Sequence, residues 1–217
     1  MCKVKILTGG NLPNIPWQEK PDNLINAPVW RYSENPIIDR NPLKNVARIF
    51  NSAVIPYEGK YIGVFRGEQT NGIPYIYMGR SEDGINWNYD EEKIKFVNEQ
   101  GEDFAPKYAY DPRLVEVEGV YYIMWCTDFY GAAIGMAKTT DFKTFVRVEN
   151  PFIPFNRNAV LFPRKINPST SSAILIINVI FPGVVGIMAL KTTAIPVTPP
   201  KEKLFGNLNT YTPTTRI

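Results

Sequence analysis

Residues 110–145 decide the fold of this chain, and they read YDPRLVEVEGVYYIMWCTDFYGAAIGMAKTTDFKTF. Three short runs rich in β-branched, aromatic or small apolar residues, at 114–117, 120–126 and 132–137, favour strands over a helix. A turn at Glu118-Gly119 joins the first two runs. Three antiparallel strands that follow one carboxylate, Asp111, are typical of most of a propeller blade.

The same pattern occurs earlier in the chain, because residues 51–65 resemble residues 111–125 at an offset of 60 positions. The ends of the two units also correspond, at residues 81–87 and 139–145, where a Ser or Thr and an Asp precede an aromatic residue. A third copy begins at residues 157–163. Units of this kind bury their faces only by stacking on neighbours.

The repeat therefore predicts an all-β protein, an incomplete propeller of two to three blades over residues 46–167. We expect blades at about residues 46–90 and 107–150 and a third begun at residue 157. Residues 1–45 are rich in Pro and Asn and predict an extended arm over the domain surface. Disorder is the alternative for this arm, and its aromatic residues argue against it.

Composition excludes several classes of protein. The chain has 24 basic and 21 acidic residues, a net charge of +3, which gives no reason to expect a nucleic-acid partner. It has no histidine, so histidine triads and histidine metal sites are excluded. Its two cysteines, Cys2 and Cys126, are interpreted as free thiols in a reducing compartment, and no secretory signal is expected; both features favour the cytoplasm.

The first strand of each blade lines the channel of a propeller, so Asn51, Asp111 and Arg157 are expected to converge at one end of it. An amide, a carboxylate and a guanidinium together suit a polar, hydroxyl-rich or anionic ligand. Asp111 has an equally weighted alternative as a turn residue before Pro112. Asp128, after the second strand of its blade, stays ambiguous near the channel mouth.

Two other aspartates, Asp83 and Asp141, occupy the Ser/Thr-Asp turns at the blade ends. The structural interpretation is favoured for both, since such carboxylates cap turns by binding nearby backbone N–H groups.

Six short motifs in one order resemble glycoside hydrolase family 130. They are Asn51-Ser52, FRGE at 65–68, SEDG at 81–84, YDPR at 110–113, GAA at 131–133, and NRN at 156–158 running on to FPRK at 162–165. The resemblance covers about residues 35–167. Members of that family are five-bladed β-propeller enzymes, mostly β-mannoside phosphorylases, and the motifs here match best those that act on mannosyl-glucose.

The resemblance implies a role for each matching residue. Asp111 would be the general acid. Sugar binding would fall to Asn51, Ser52 and Arg66, and phosphate binding to Arg157, Asn158 and Arg164. Asp128 is a further sugar-binding candidate because of its place near the channel mouth.

The resemblance also implies a reaction, the transfer of a β-linked mannosyl unit to inorganic phosphate with inversion, giving mannose 1-phosphate. The expected partners are a mannoside and inorganic phosphate, with no metal or organic cofactor, no membrane, and a homo-oligomer as an option. The alternatives are a β-mannoside hydrolase and a non-catalytic remnant that binds sugar weakly or binds nothing. The arginines favour the phosphorylase, because a hydrolase does not bind phosphate as a substrate.

Residues 168–217 depart from the family pattern. We expect a shifted or shortened reading frame there, a tail outside the family and little phosphorylase activity. The uncharged run at 173–190 has two interpretations, one or two strands or a transmembrane helix, and Asn178 and Pro182 weaken the helix.

Overall fold

The computed structural model describes residues 12, 14–166, 173–181 and 184–191, with side chains at residue 12 and residues 14–164. In these parts of the chain the structure consists of thirteen strands and one short 3-10 helix, Asp22–Leu24. The all-β prediction is confirmed. Most of the segment before the first strand is irregular; its Ile15 and Ile38 line a groove against the first sheet, whereas Trp17 is 73% exposed.

The first sheet is an antiparallel meander of four strands in chain order. Its hairpin turn, Glu58-Gly59, has φ values of 50° and 75°, the left-handed pair that fits the twist of a tight hairpin. The strands are β1 (Val46–Tyr57), β2 (Lys60–Gln69), β3 (Pro74–Ser81) and β4 (Trp87–Lys93).

The second sheet repeats this meander and extends it. Its turn at Glu118-Gly119 has the same left-handed pair, with φ values of 52° and 78°. The connection from the first sheet adds two short strands to its outer edge, so the strand order is β6-β5-β10-β9-β8-β7. The strands are β5 (Phe96–Val97), β6 (Asp103–Phe104), β7 (Tyr110–Val117), β8 (Val120–Asp128), β9 (Ala132–Thr139) and β10 (Phe145–Val148).

The third sheet contains three antiparallel strands, β11 (Ala159–Ile166), β12 (Ala173–Phe181) and β13 (Val184–Lys191). The transmembrane-helix interpretation of residues 173–190 is therefore wrong, and the two-strand interpretation is confirmed. None of the described residues forms a helix long and apolar enough to cross a membrane.

Two apolar clusters hold the three sheets together. Ile62, Val64 and Ile76 of the first sheet pack with Ile123 and Trp125 of the second. On the other face of the second sheet lies a separate cluster, which includes Met124, Ile134 and Met136 together with Ala159 and Leu161 of the third sheet. The second sheet is thus buried on both faces, as the stacking of blades requires.

The Ser/Thr-Asp turns connect the third and fourth strands of each meander, β3 to β4 in the first sheet and β9 to β10 in the second. In the first, the Asp83 carboxylate accepts the backbone N–H groups of Ile85 and Asn86 at 2.9 and 2.8 Å. Asp141 accepts Lys143 and Thr144 at 2.8 and 2.9 Å. The structural interpretation of both aspartates is confirmed.

A backbone irregularity recurs within or just before the first strand of each sheet. Asn51, Asp111 and Asn158 have left-handed backbones with φ values of 49°, 51° and 60°. The pairing register of β1 breaks between Phe50 and Ala53 and that of β7 between Tyr110 and Arg113, so Asn51 and Asp111 lie within bulges. A bulge redirects a side chain out of the regular pleat, and here it brings Asn51 and Asp111 together.

Candidate active site

Asp111 accepts two hydrogen bonds from the first blade. The Asn51 Nδ2 amide donates to its Oδ1 oxygen at 2.8 Å, and the Arg66 Nη1 donates to the same oxygen at 2.9 Å. The side chains of Arg66 and Asp111 are 19% and 20% exposed, so the pair is shielded but still open to solvent. The predicted convergence of Asn51 and Asp111 is therefore observed.

The second oxygen of Asp111, Oδ2, accepts no hydrogen bond from the part of the chain that the structure describes. One oxygen is fixed by an amide and a guanidinium, and the other is left for a ligand. This arrangement suits proton transfer to or from a bound molecule, because a general acid must lie within hydrogen-bond reach of the group that it protonates.

Arg66 is held on several sides. Its Nη2 donates to Glu68 at 3.2 Å, and Arg48 lies 3.6 Å from the other oxygen of Glu68. Its guanidinium carbon lies 4.3 Å from the ring centroid of Phe50 and 5.1 Å from that of Tyr110. A planar guanidinium between aromatic rings and two carboxylates has little freedom to move.

The Nε atom of Arg66 is buried without a hydrogen-bond partner among the described residues. Such an atom is uncommon in a folded protein, and Tyr89 Oη and Trp125 Nε1 are two others among the described residues.

The segment before β11 brings positive charge to the same place. The exposed guanidinium of Arg157 lies 5.9 Å from the ring centroid of Tyr110. The next residue, Asn158, accepts a weak hydrogen bond from the Cys126 thiol, with 3.7 Å between Sγ and Oδ1. Burial raises the pKa of Cys126, so this free thiol stays neutral near pH 7.

The structure changes one detail of the predicted convergence. The residue of the third blade that shares the left-handed backbone of Asn51 and Asp111 is Asn158, not Arg157. Arg157 precedes it and reaches the site through Tyr110.

Three predicted site residues have other surroundings. Ser52 lines the groove between the N-terminal segment and the first sheet, together with Val54 and Pro56. The Arg164 guanidinium is exposed and packs over the ring of Phe162 at 5.2 Å.

The third of these, Asp128, has its carboxylate in the turn between β8 and β9. It accepts the Gly131 backbone N–H at 3.0 Å, and Lys107 lies 3.4 Å from its second oxygen. The Gly131 and Lys107 contacts hold the pKa of Asp128 below its usual range. These contacts are typical of a turn residue. Asp128 ends β8, and that end of the strand pairs with Tyr110 through Cys126.

Sequence reasoning assigned no role to Glu68 or Tyr110, and both contact the site. Glu68 could have been found from strand periodicity, because residues two apart on a strand share a face with each other and Arg66 was already a candidate. Tyr110 has no comparable signal, since its contacts with Arg66 and Arg157 join three blades.

Comparison with known proteins places the chain among carbohydrate-active enzymes. A family model described as beta-1,4-mannooligosaccharide phosphorylase matches residues 11–181. The chain is 46% identical over 174 residues to a beta-1,4-mannooligosaccharide phosphorylase of Ruminococcus albus, an alignment that covers 76% of this chain and 51% of that protein. It is 27% identical over 96 residues to a beta-1,2-mannobiose phosphorylase of Listeria innocua, covering 44% of this chain and 26% of that protein. The chain thus spans about half the length, or less, of these relatives.

Solved structures resemble the fold. The beta-1,2-mannobiose phosphorylase from Listeria innocua, in complex with beta-1,2-mannobiose, superimposes with a TM-score of 0.59 at 18% identity, covering 74% of this chain and 62% of the other. A putative glycoside hydrolase from Bacteroides ovatus gives a TM-score of 0.57 at 17% identity, covering 84% and 62%. At these identities the similarity concerns the fold alone.

Proposed function

Because this chain belongs to glycoside hydrolase family 130, we propose that its protein cleaves β-linked mannosides with inorganic phosphate and releases mannose 1-phosphate. The observation that carries the proposal is the Asp111 carboxylate, bonded through one oxygen to Asn51 and Arg66 and open at the other.

In the proposed reaction Asp111 donates a proton from its open oxygen to the glycosidic oxygen as the bond from that oxygen to the anomeric carbon breaks. A phosphate oxygen attacks the anomeric carbon from the opposite face and forms the new bond, so the configuration inverts. Phosphate is itself the nucleophile, and no second carboxylate is needed as a base to activate water, unlike in an inverting hydrolase.

Asn51 and Arg66 hold the carboxylate in place and lie where the mannosyl unit binds. Arg157 and Asn158 come from a different blade, and Arg157 is an exposed cation beside Tyr110. Guanidinium groups bind phosphate through paired, charge-assisted hydrogen bonds. We therefore assign phosphate to the side of the site that the third blade contributes, with Arg164 as a more distant candidate.

The proposed substrates are β-1,4-linked mannosides, because the Ruminococcus albus relative is named as a β-1,4-mannooligosaccharide phosphorylase. Mannosyl-glucose, which the motifs predict, is the first of them to test. Ser52 and Asp128 are kept as candidates for binding the rest of the sugar.

The test incubates the purified protein with mannosyl-glucose, β-1,4-mannobiose or β-1,2-mannobiose, each with and without inorganic phosphate. Phosphorus NMR should show mannose 1-phosphate only when phosphate is present. Free mannose formed at equal rates with and without phosphate would identify a hydrolase and contradict the proposal.

A further inference from the structure

Tyr110 is the point where three blades meet at the candidate site. It is the first residue of β7 and precedes Asp111. The guanidinium carbon of Arg66, from the first blade, lies 5.1 Å from its ring centroid. That of Arg157, from the segment that leads into the third blade, lies 5.9 Å from it. One aromatic ring therefore contacts the arginine assigned to the sugar and the arginine assigned to phosphate.

Two guanidinium groups beside one ring repel each other, so something must hold both of them there. The face of an aromatic ring is electrically negative and attracts a cation within about 6 Å. Asp111 and Glu68 also pair with Arg66, at 2.9 and 3.2 Å, whereas Arg157 has no ion pair among the described residues. The ring of Tyr110 is the contact that the two arginines share, and it leaves the charge of Arg157 available for phosphate.

The hydroxyl group of Tyr110 is not needed for this role. Burial raises the pKa of Tyr110, so the phenol is neutral near pH 7 and adds no charge to the site. The ring of Tyr108 lies beside it, with 5.8 Å between the centroids, and takes no part in the two cation–π contacts.

We propose that Tyr110 is a positioning residue that sets Arg66 and Arg157 relative to each other and so couples the mannoside site to the phosphate site. The inference rests on the proposed function, because it takes the β-mannoside and inorganic phosphate as the ligands of the two arginines that the ring positions.

The kinetic test compares Tyr110→Leu with Tyr110→Phe, which keeps the ring, and with Tyr108→Leu, which removes the neighbouring ring. Tyr110→Leu should raise the KM for phosphate and the KM for the mannoside together, each roughly three- to tenfold, the range expected for one lost cation–π contact. Tyr110→Phe and Tyr108→Leu should stay within about twofold of wild type. A change in only one KM, or equal changes in Tyr110→Phe and Tyr110→Leu, would overturn the inference.

A second measurement does not need turnover. The arginine side-chain N–H signals of Arg66 and Arg157 in NMR spectra of the ligand-free protein report their distance from the ring. Both signals should move in Tyr110→Leu and stay close to their wild-type positions in Tyr110→Phe, and unmoved signals in Tyr110→Leu would reject the inference. Absence of turnover in the wild-type protein bears on the proposed function alone, and the two signals still decide whether Tyr110 positions both arginines.

Discussion

Asn51 and Asp111 occupy equivalent places in two blades and share a left-handed backbone, yet one carries an amide and the other a carboxylate. In the proposed reaction only the carboxyl group of Asp111 delivers a proton to the leaving oxygen, and the amide of Asn51 binds that carboxyl group. The hydrogen bond between them, 2.8 Å long, makes the amide a partner of the acid.

Replacement of Asp111 by Asn should reduce phosphorolysis by roughly a hundredfold to ten-thousandfold, the usual contribution of a positioned acid. The substitution keeps the side-chain shape, so circular dichroism should stay unchanged. The control is Asp141→Asn, a carboxylate in a turn remote from the site, which should retain wild-type turnover. Equal turnover in Asp111→Asn and wild type would remove Asp111 from the catalytic role.

Replacement of Arg66 by Lys should raise the KM for the mannoside about tenfold or more, because an ammonium cannot bind Asp111 and Glu68 in parallel or stack between two rings. Arg48→Lys is the matched control, since Arg48 meets the same Glu68 at 3.6 Å but is 66% exposed. Steady-state kinetics on both variants checks the prediction, which fails if the two lysine variants behave alike.

At the residue scale, the motifs predicted that Asn51 and Asp111 lie together but did not predict the residues that contact Arg66. Asp111 and Asn51 were expected together, and they bond directly. The placement of Glu68 and Tyr110 around Arg66 depends on how blades stack, which local sequence does not specify. In the third blade the residue equivalent to Asn51 and Asp111 is Asn158 and not Arg157, as its backbone φ shows. That φ also depends on tertiary structure.

At the scale of single elements, the turn at Asp83 makes stability depend on pH. Backbone hydrogen bonds from Asn86 and Ile85 lower the pKa of Asp83 from 3.8 to about 2. A depressed folded-state pKa gives stability that is fully present above the unfolded value, near 3.8, and is lost as the pH falls towards 2.

Asp83→Asn should therefore be less stable than wild type in chemical denaturation at pH 7, and the difference should shrink between pH 4 and about 2. Asp90→Asn is the control: its carboxylate and the guanidinium of its partner Arg80 are each 47% exposed, and such pairs contribute little. A stability difference that stays constant across this pH range would contradict the assignment.

The strands themselves were largely predictable, because alternation and turn chemistry are local. The runs at 114–117, 120–126 and 132–137 correspond to β7, β8 and β9, each longer in the structure than in the prediction. The bulges in β1 and β7 were not predicted, since a bulge depends on how a strand pairs with its neighbour, which local sequence does not specify.

At the scale of the whole molecule, the second blade joins the first and the third through two separate apolar clusters. Neither neighbour can unfold without exposing one face of the second blade. Stability in such a stack is shared between a repeat and its interfaces, so the blades should respond together.

Ile76→Ala removes a buried side chain from the first cluster and Leu161→Ala one from the second. Each should cost about 2–5 kcal/mol, the usual range for such truncations. Unfolding should remain one transition when followed by circular dichroism and by fluorescence, to which Trp87 and Trp125 contribute together with the exposed Trp17 and Trp30. Separate midpoints for the two probes would show that the blades unfold independently.

The repeat predicted the blade arrangement because each unit carries the same turns and aromatic positions. Residues 173–190 showed the limit of such reasoning, since an uncharged run fits a membrane helix and a buried hairpin alike, and pairing with β11 decided between them.

The left-handed backbone at Asn51, Asp111 and Asn158 favours a small set of residues at these three positions, because Asn and Asp tolerate that conformation better than most other side chains with a Cβ. In the genetic code the codons for Asn and Asp differ only in their first base. One nucleotide change can thus convert an amide to an acid, or the reverse, without straining the strand that carries it. A single base change can therefore place an acid or an amide at any of these three positions while the backbone keeps its conformation.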